Sequence, residues 1–190
     1  PMQTRTYLDG IEVVTEGEGE HAIVMIHGWP DTWRLWDGTV AALKDRFRCV
    51  RFTLPGFDIT QPARPTSVAQ MVALFDRIVD HAGRGAPVTL LLHDWGCSFG
   101  YEYAMTHRDK VARLVGVDIG DANSAAFVRS LSTRTRWMIA SYQLWLATAW
   151  KIGGAIGDRM TRRTARFAHW PGSLDGIGAQ MNYPYAMRWF

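Results

Sequence analysis

One stretch limits the possible folds more than any other: residues 88–100, VTLLLHDWGCSFG. An apolar, β-rich run passes without a spacer into His93-Asp94-Trp95-Gly96, and from there into a segment able to form a helix. A short apolar run of this kind predicts a strand buried on both faces, as in a parallel sheet. A charged residue at the carboxyl end of such a strand has a chemical reason, because the reactive groups of open α/β sheets stand just outside those ends. Strand, sharp turn and helix make an elbow. The elbow lifts one side chain above the sheet and turns a helix N-terminus toward developing negative charge.

Two residues compete for the tip of that elbow. Gly96-Cys97-Ser98-Phe99-Gly100 matches G-x-S-x-G, the pattern of a serine nucleophile. Asp94 is the other, and it follows directly on the apolar run. Ser98 lies one helical turn further on, where it points down the first turn of the helix. Spacing therefore favours Asp94. Gly96 suits the crowded turn, whereas Leu92, two residues before Asp94, is larger than such a turn normally takes.

The rest of the chain supplies a frame for this elbow. Residues 11–14 read as an edge strand, with a Gly/Glu turn at 17–19. Residues 22–26 form a buried strand that ends at His27-Gly28-Trp29-Pro30. Glycine there lets backbone approach a ligand closely, and Pro30 keeps Trp29 out of the helical region. Trp33, Trp36, Val40 and Leu43 recur at helical spacing and predict a core-facing stripe. Residues 49–54 are a further strand, followed by the turn Pro55-Gly56-Phe57 and a Pro-rich loop at 61–65. Ser67-x-x-Gln70 is a capping box. It opens a helix with Val68, Met71, Val72, Phe75, Ile78 and Val79 buried and Gly83 as its stop, while Asp76 and Asp80 serve solubility alone. Residues 111–117 are the next strand, and 118–121 follow it. Asp118 stands where a catalytic acid can sit, or caps the loop. Strands and helices alternate to this point, which predicts a parallel-rich sheet with right-handed crossovers and helices on both faces.

From Asn123 the pattern changes. Helical stretches at 125–131, 137–150, 159–168 and near Gln180 follow one another with no strand between. The expected organisation is an α/β core at 1–121 and a helical cap, inserted after the sixth strand, at 122–190.

Composition excludes several classes of function. The uncharged run at 137–150 is too short for a bilayer, which takes about 20 apolar residues. Cys49 and Cys97 make no disulfide framework, and no metal-ligand spacing appears among Cys and His. No cofactor, metal or membrane span is expected, and a reducing, cytoplasmic setting is. Residues 121–190 hold nine Lys and Arg against three Asp and Glu. Yet Arg159, Arg162, Arg163 and Arg166 recur at helical spacing as a solvated face does, so no nucleic-acid partner is expected. Hydrophobic residues make up 47% of the chain and Trp occurs nine times, which suits a packed globule with an aromatic cavity or interface.

HDWG after a buried strand, with HGWP upstream, resembles the epoxide hydrolase and haloalkane dehalogenase branch of the α/β-hydrolase fold. The resemblance implies Asp94 as nucleophile and the backbone N–H groups of Trp29 and Trp95 as an oxyanion hole. It also implies cap tyrosines as acids. Ser141-Tyr142-Gln143-Leu144-Trp145 is similar to the first cap motif; Met181-Asn182-Tyr183-Pro184-Tyr185 is similar to the second, through either Tyr183 or Tyr185. His27, Phe57 and Trp145 would line a pocket for a small apolar substrate. The implied activity is epoxide opening to a diol through an alkyl-enzyme ester on Asp94. A haloalkane dehalogenase would use the same Asp94, and Trp29 stands where dehalogenases often carry Asn. The tyrosines favour epoxides. A serine esterase on Ser98 and a non-catalytic protein binding a hydrophobic ligand are the remaining alternatives. In the family resembled, the general-base His lies beyond the cap with the last two strands, whereas this sequence stops at Phe190, and none of its six His replaces that base well. The expectation is a fragment, a second chain or further copy completing the sheet, or a form that does not turn over.

Overall fold

A computed structural model of the chain describes residues 3–120 and 124–190. The chain divides into two compact units, residues 1–55 with 66–120, and residues 56–65 with 121–190. The boundary expected at 121/122, with Asp121 and Asn123, lies outside the described residues.

The first unit is a six-stranded sheet in the order β1-β2-β4-β3-β5-β6. Its strands are β1 (Thr4–Leu8), β2 (Ile11–Glu16), β3 (Ala22–Ile26), β4 (Arg48–Phe52), β5 (Val88–His93) and β6 (Val111–Val117). Strands β4, β3, β5 and β6 run parallel; β2 joins β4 antiparallel, and β1 joins β2 antiparallel. The parallel-rich sheet and its crossover helices are as the alternation predicts. Ile11 to Val14 do not form the edge, however. The edge is β1, folded back on β2 through Asp9-Gly10, both at positive φ. An Asp-Gly pair with φ > 0 at both residues is the turn that matches strand twist.

Helices cover both faces. Trp33–Trp36 is a 3-10 turn leading into α1 (Asp37–Leu43), and Trp36 and Val40 from this stripe are buried on Ile23, Met25 and Cys49. The helix α2 (Val68–Gly83) begins with the expected capping box: Gln70 N–H donates to Ser67 Oγ and Ser67 N–H to Gln70 Oε1. Met71, Phe75, Ile78 and Val79 are buried, and Val68 is exposed. The helix ends at Gly83 as expected, but the left-handed capping position falls one residue later. Arg84 takes it, with φ 52°. The helix α3 (Trp95–Thr106) packs beside α2, with Phe75 edge-on between Phe52 and Tyr103. Asp76 and Asp80 do more than serve solubility. Asp76 accepts from Tyr103 Oη at 3.1 Å and Lys110 Nζ at 2.7 Å, and Asp80 pairs with Lys110 at 2.8 Å, tying α2 to the turn before β6. Buried charge is likewise paired: Arg51 reaches Glu16 and Asp37, each at 2.6 Å. The strand β6 is the other edge of the sheet, with Leu114, Val115 and Val117 exposed.

The second unit is helical: α4 (Ala125–Ser130), α5 (Thr133–Ile152), α6 (Gly154–Phe167) and α7 (Tyr183–Trp189), with short 3-10 turns before α7. Residues 56–65 pack with it. Gln180 Nε2 donates to the carbonyls of Gly56, Asp58 and Gln61, and Phe57 meets Tyr183 edge-on. Thr161 and Asn182, both fully buried, bond to each other at 2.8 Å and hold α6 to α7's approach.

Leu92 fits its crowded turn because Gly100 leaves room for it. A Cβ at Gly100 would stand 2.6 Å from both Leu92 methyl carbons. Gly100→Ala should therefore destabilise the protein by about 1–3 kcal/mol in urea unfolding, the usual cost of overpacking. Combined with Leu92→Ala, the two losses should fall short of their sum.

Candidate active site

Asp94 sits at the tip of the elbow, immediately after β5 and before α3, with φ 50° and ψ −121°. A non-glycine residue there costs of order 1–3 kcal/mol and persists only where its surroundings fix it. Three local features do so. Cys97 N–H donates to the Asp94 carbonyl at 2.8 Å and starts α3. Gly96 passes against the carbonyl of Ile26, leaving no space for a Cβ. Gly28 passes against Asp94 itself, where a Cβ would stand 2.5 Å from Oδ2.

This close approach brings two backbone donors to the carboxyl. Trp29 N–H reaches Asp94 Oδ2 at 2.6 Å, and Trp95 N–H is the second. Burial pushes the carboxyl above its usual range; the Trp29 and Trp95 N–H groups and His93 oppose that rise, and Asp118 adds to it. Asp118 directly follows β6 and, like Asp94, has positive φ.

The loop carrying Trp29 is held from behind by His27, which is fully buried. Leu54 N–H donates to His27 Nε2 at 2.9 Å, so Nδ1 carries the proton and donates to the Gly28 carbonyl at 2.8 Å. Both ring nitrogens are committed to backbone. His27 therefore fastens the end of β3 to the end of β4 and offers neither nitrogen to a pocket. Burial holds its pKa down at about 4. His93 has a buried Nδ1 with no hydrogen-bond partner among the described residues.

Ser98 lies within α3, one turn past Asp94, and among the described residues no His bonds its hydroxyl. Cys97 is buried, with Sγ 3.5 Å from the Val117 carbonyl.

The remaining expected site residues lie in the helical unit. Tyr142 on α5 and Tyr185 on α7 meet edge-on with ring centroids 6.2 Å apart. Tyr142 is 40% exposed, and Tyr185 is buried. Tyr183 is buried against Phe57 instead. Trp145 is exposed and its Nε1 donates to the Met160 carbonyl at 3.3 Å. The unit thus pairs Tyr142 with Tyr185 and Phe57 with Tyr183. One residue that the sequence did not single out is Asp31, a buried acid in the turn closed by its own N–H to the Gly28 carbonyl. Among the described residues no cluster could hold a metal, and no helix is long and apolar enough to cross a membrane.

Residues 21–152 match the alpha/beta hydrolase fold family, and the chain belongs to it. It is 33% identical over 161 residues to a cis-3-alkyl-4-alkyloxetan-2-one decarboxylase of Xanthomonas campestris, covering 80% of this chain and 50% of that protein. It is also 33% identical over 107 residues to a soluble epoxide hydrolase of a Corynebacterium species, covering 56% of this chain and 37% of that protein. The chain spans about half the length, or less, of these curated relatives. Among solved structures, an epoxide hydrolase of Bacillus megaterium superposes with a TM-score of 0.70 at 16% identity, over 96% of this chain and 71% of that one, and so shares the fold.

The His27 bonds carry a pH signature. Its folded pKa of about 4 lies below the ordinary 6.5, so the unfolded chain takes up the proton first. The contribution of His27 is full above pH 6.5 and is lost as pH falls toward 4, by about 3 kcal/mol in all. Unfolding by urea across pH 7 to 4.5 should show a smaller acid-side loss in His27→Gln than in the parent, from a lower starting stability.

Proposed function

We propose that the chain carries the nucleophile, oxyanion donors and acid of a hydrolase that opens epoxides to diols through an alkyl-enzyme ester on Asp94. The observation that carries this reading is the Trp29 N–H at 2.6 Å from Asp94 Oδ2 at a positive-φ elbow. An ionised carboxylate needs no base to attack an sp3 carbon, and as it does so the ring C–O bond breaks and leaves an alkoxide. A tyrosine hydroxyl, with an ordinary pKa near 10, holds and protonates such an oxygen. The Tyr142–Tyr185 pair supports that role for these two residues, with Tyr183 reserved for packing on Phe57. In this reading the helical unit acts as the cap. Water then attacks the ester carbonyl, and the Trp29 and Trp95 N–H groups hold the tetrahedral oxyanion; one such donor is typically worth about 10²–10³ in rate. Substrates are small and apolar, and the two free buried thiols suit a reducing cytoplasm.

A second reading is favoured by the Xanthomonas campestris relative, whose name specifies a cis-3-alkyl-4-alkyloxetan-2-one as substrate. An oxetan-2-one, like an epoxide, is a strained ring with an sp3 carbon bound to ring oxygen, so Asp94 could attack either. Diol from an epoxide supports the first reading, and CO₂ released from a dialkyl oxetan-2-one supports the second.

Epoxide consumption followed by chromatography of the diol tests the assignment. Asp94→Ala should lose more than about 10³-fold in rate. Ser98→Ala should keep most of the activity, and Tyr142→Phe with Tyr185→Phe should lose about 10²-fold or more. Retained activity in Asp94→Ala together with loss in Ser98→Ala would transfer the nucleophile to the serine.

A further inference from the structure

The helix α6 sorts its charges. Asp158, its one acid, turns inward and accepts from Ala179 N–H at 2.7 Å. Arg162 turns the same way, its Nε donating to the Ile177 carbonyl at 2.9 Å. These two bonds hold the segment that leads to α7, so Arg162 is no part of the solvated face expected from its spacing. Gly157, Thr161 and Ala165 form the buried stripe. What remains for the outside is Ile156, Arg159, Arg163, Arg166 and Phe167, all exposed and all on the side of the helix opposite the buried stripe. This outer stripe is three turns long, about 16 Å along the axis.

Folding gives these side chains little to do. Among the described residues no carboxylate lies within ion-pair distance of Arg159, Arg163 or Arg166. Asp175, the other acid described in this unit, accepts from Ser173 Oγ. Arg166 lies in the last turn of α6, where a cation suits the negative end of the helix dipole, but Arg159 and Arg163 come before that turn. The apolar ends of the stripe are equally unused. Phe167 is 87% exposed and Ile156 66%. Large apolar side chains left in water contribute nothing to a hydrophobic core. A row of cations flanked by such side chains, on a helix that is polar overall, is the composition of helices that lie in a membrane interface.

We propose that the outer stripe of α6 docks the protein on the surface of an anionic lipid bilayer. The helix lies in the plane of the membrane, Arg159, Arg163 and Arg166 meet the lipid headgroups, and Ile156 and Phe167 enter the boundary with the acyl chains. Charge complementarity is the main argument. Three cations without acidic partners stand in one row, in a segment whose nine Lys and Arg outnumber its three Asp and Glu. An anionic leaflet attracts such a row, each cation adding about a fivefold gain in partition. A nucleic-acid strand is a poorer fit. It takes a basic groove with aromatic faces for its bases, whereas α6 offers one helix face with an aliphatic side chain at one end. The proposal goes beyond the reaction argued above and does not depend on Asp94. An apolar substrate collects in a bilayer, and docking brings the protein to it.

Sedimentation of the whole chain with sucrose-loaded vesicles tests this without any turnover. The vesicles are phosphatidylcholine alone, or phosphatidylcholine with about one third phosphatidylserine. The protein should sediment with the anionic vesicles and stay in solution with the neutral ones, and added salt should weaken the binding. The triple variant Arg159→Gln, Arg163→Gln, Arg166→Gln should lose about 10²-fold in partition. Phe167→Ser should lose about tenfold while Phe167→Leu keeps most of the binding. A control removes the same charge elsewhere: Arg46→Gln, Arg84→Gln, Arg108→Gln, three exposed positions of the first unit, should bind as the parent does. Thermal unfolding matched to the parent shows that each variant is folded. Equal binding to neutral vesicles, no binding to either kind, or equal loss in the control and the α6 triple variant overturns the proposal. So does binding of a single-stranded oligonucleotide that the α6 triple variant loses while vesicle binding stays unchanged.

Discussion

Asp94 is held at the carboxyl end of a strand whose neighbours on both sides are parallel, in a backbone conformation that only tight local packing sustains. Its carboxyl is pushed upward by burial, and what offsets this is a pair of backbone N–H groups. Those donors reach it only because Gly28 and Gly96 have no side chains at the two points of closest approach. The same need explains the bonds of His27. A loop that must present an N–H within 2.6 Å of a carboxylate cannot drift, and His27 ties it to the start of the next loop through Leu54. The sheet, the loop and the helix are therefore one device for holding charge in a place poor in water.

Much of this was legible in the chain. The apolar run of β5 ends at Asp94 as its spacing predicts, and the capping box of Ser67 and Gln70 has both of its bonds. Other features had no comparable signal. The edge strand β1 is mostly polar, TRTYL, because much of it faces solvent, so only the Asp9-Gly10 turn could have announced it. Asp76 and Asp80 sit at solvated helix positions by spacing alone, and their partner Lys110 comes from a distant turn. The left-handed position falls on Arg84, one residue past Gly83, whose Cα side is closed by Val88. Leu92 stood out as too large from its own position; the explanation lay eight residues on, in Gly100.

The site was legible in its residue types and less so in its pairings. Nothing in the spacing distinguishes Tyr183 from Tyr185; that one packs on Phe57 and the other on Tyr142 is a tertiary feature. His27 looked like a pocket residue because it neighbours Gly28 and Trp29, yet its two nitrogens face backbone. By its place after Pro30, Asp31 reads as a polar loop residue. Its burial is a tertiary property.

The central claim, that Asp94 bonds to substrate carbon, is tested most directly by locating the bond. The protein is exposed to an epoxide, quenched in acid, digested and sequenced by tandem mass spectrometry across residues 85–108. The expected result is the epoxide mass on Asp94. The same mass on Ser98 would contradict the account, as would diol formation with no modified peptide at any quench time.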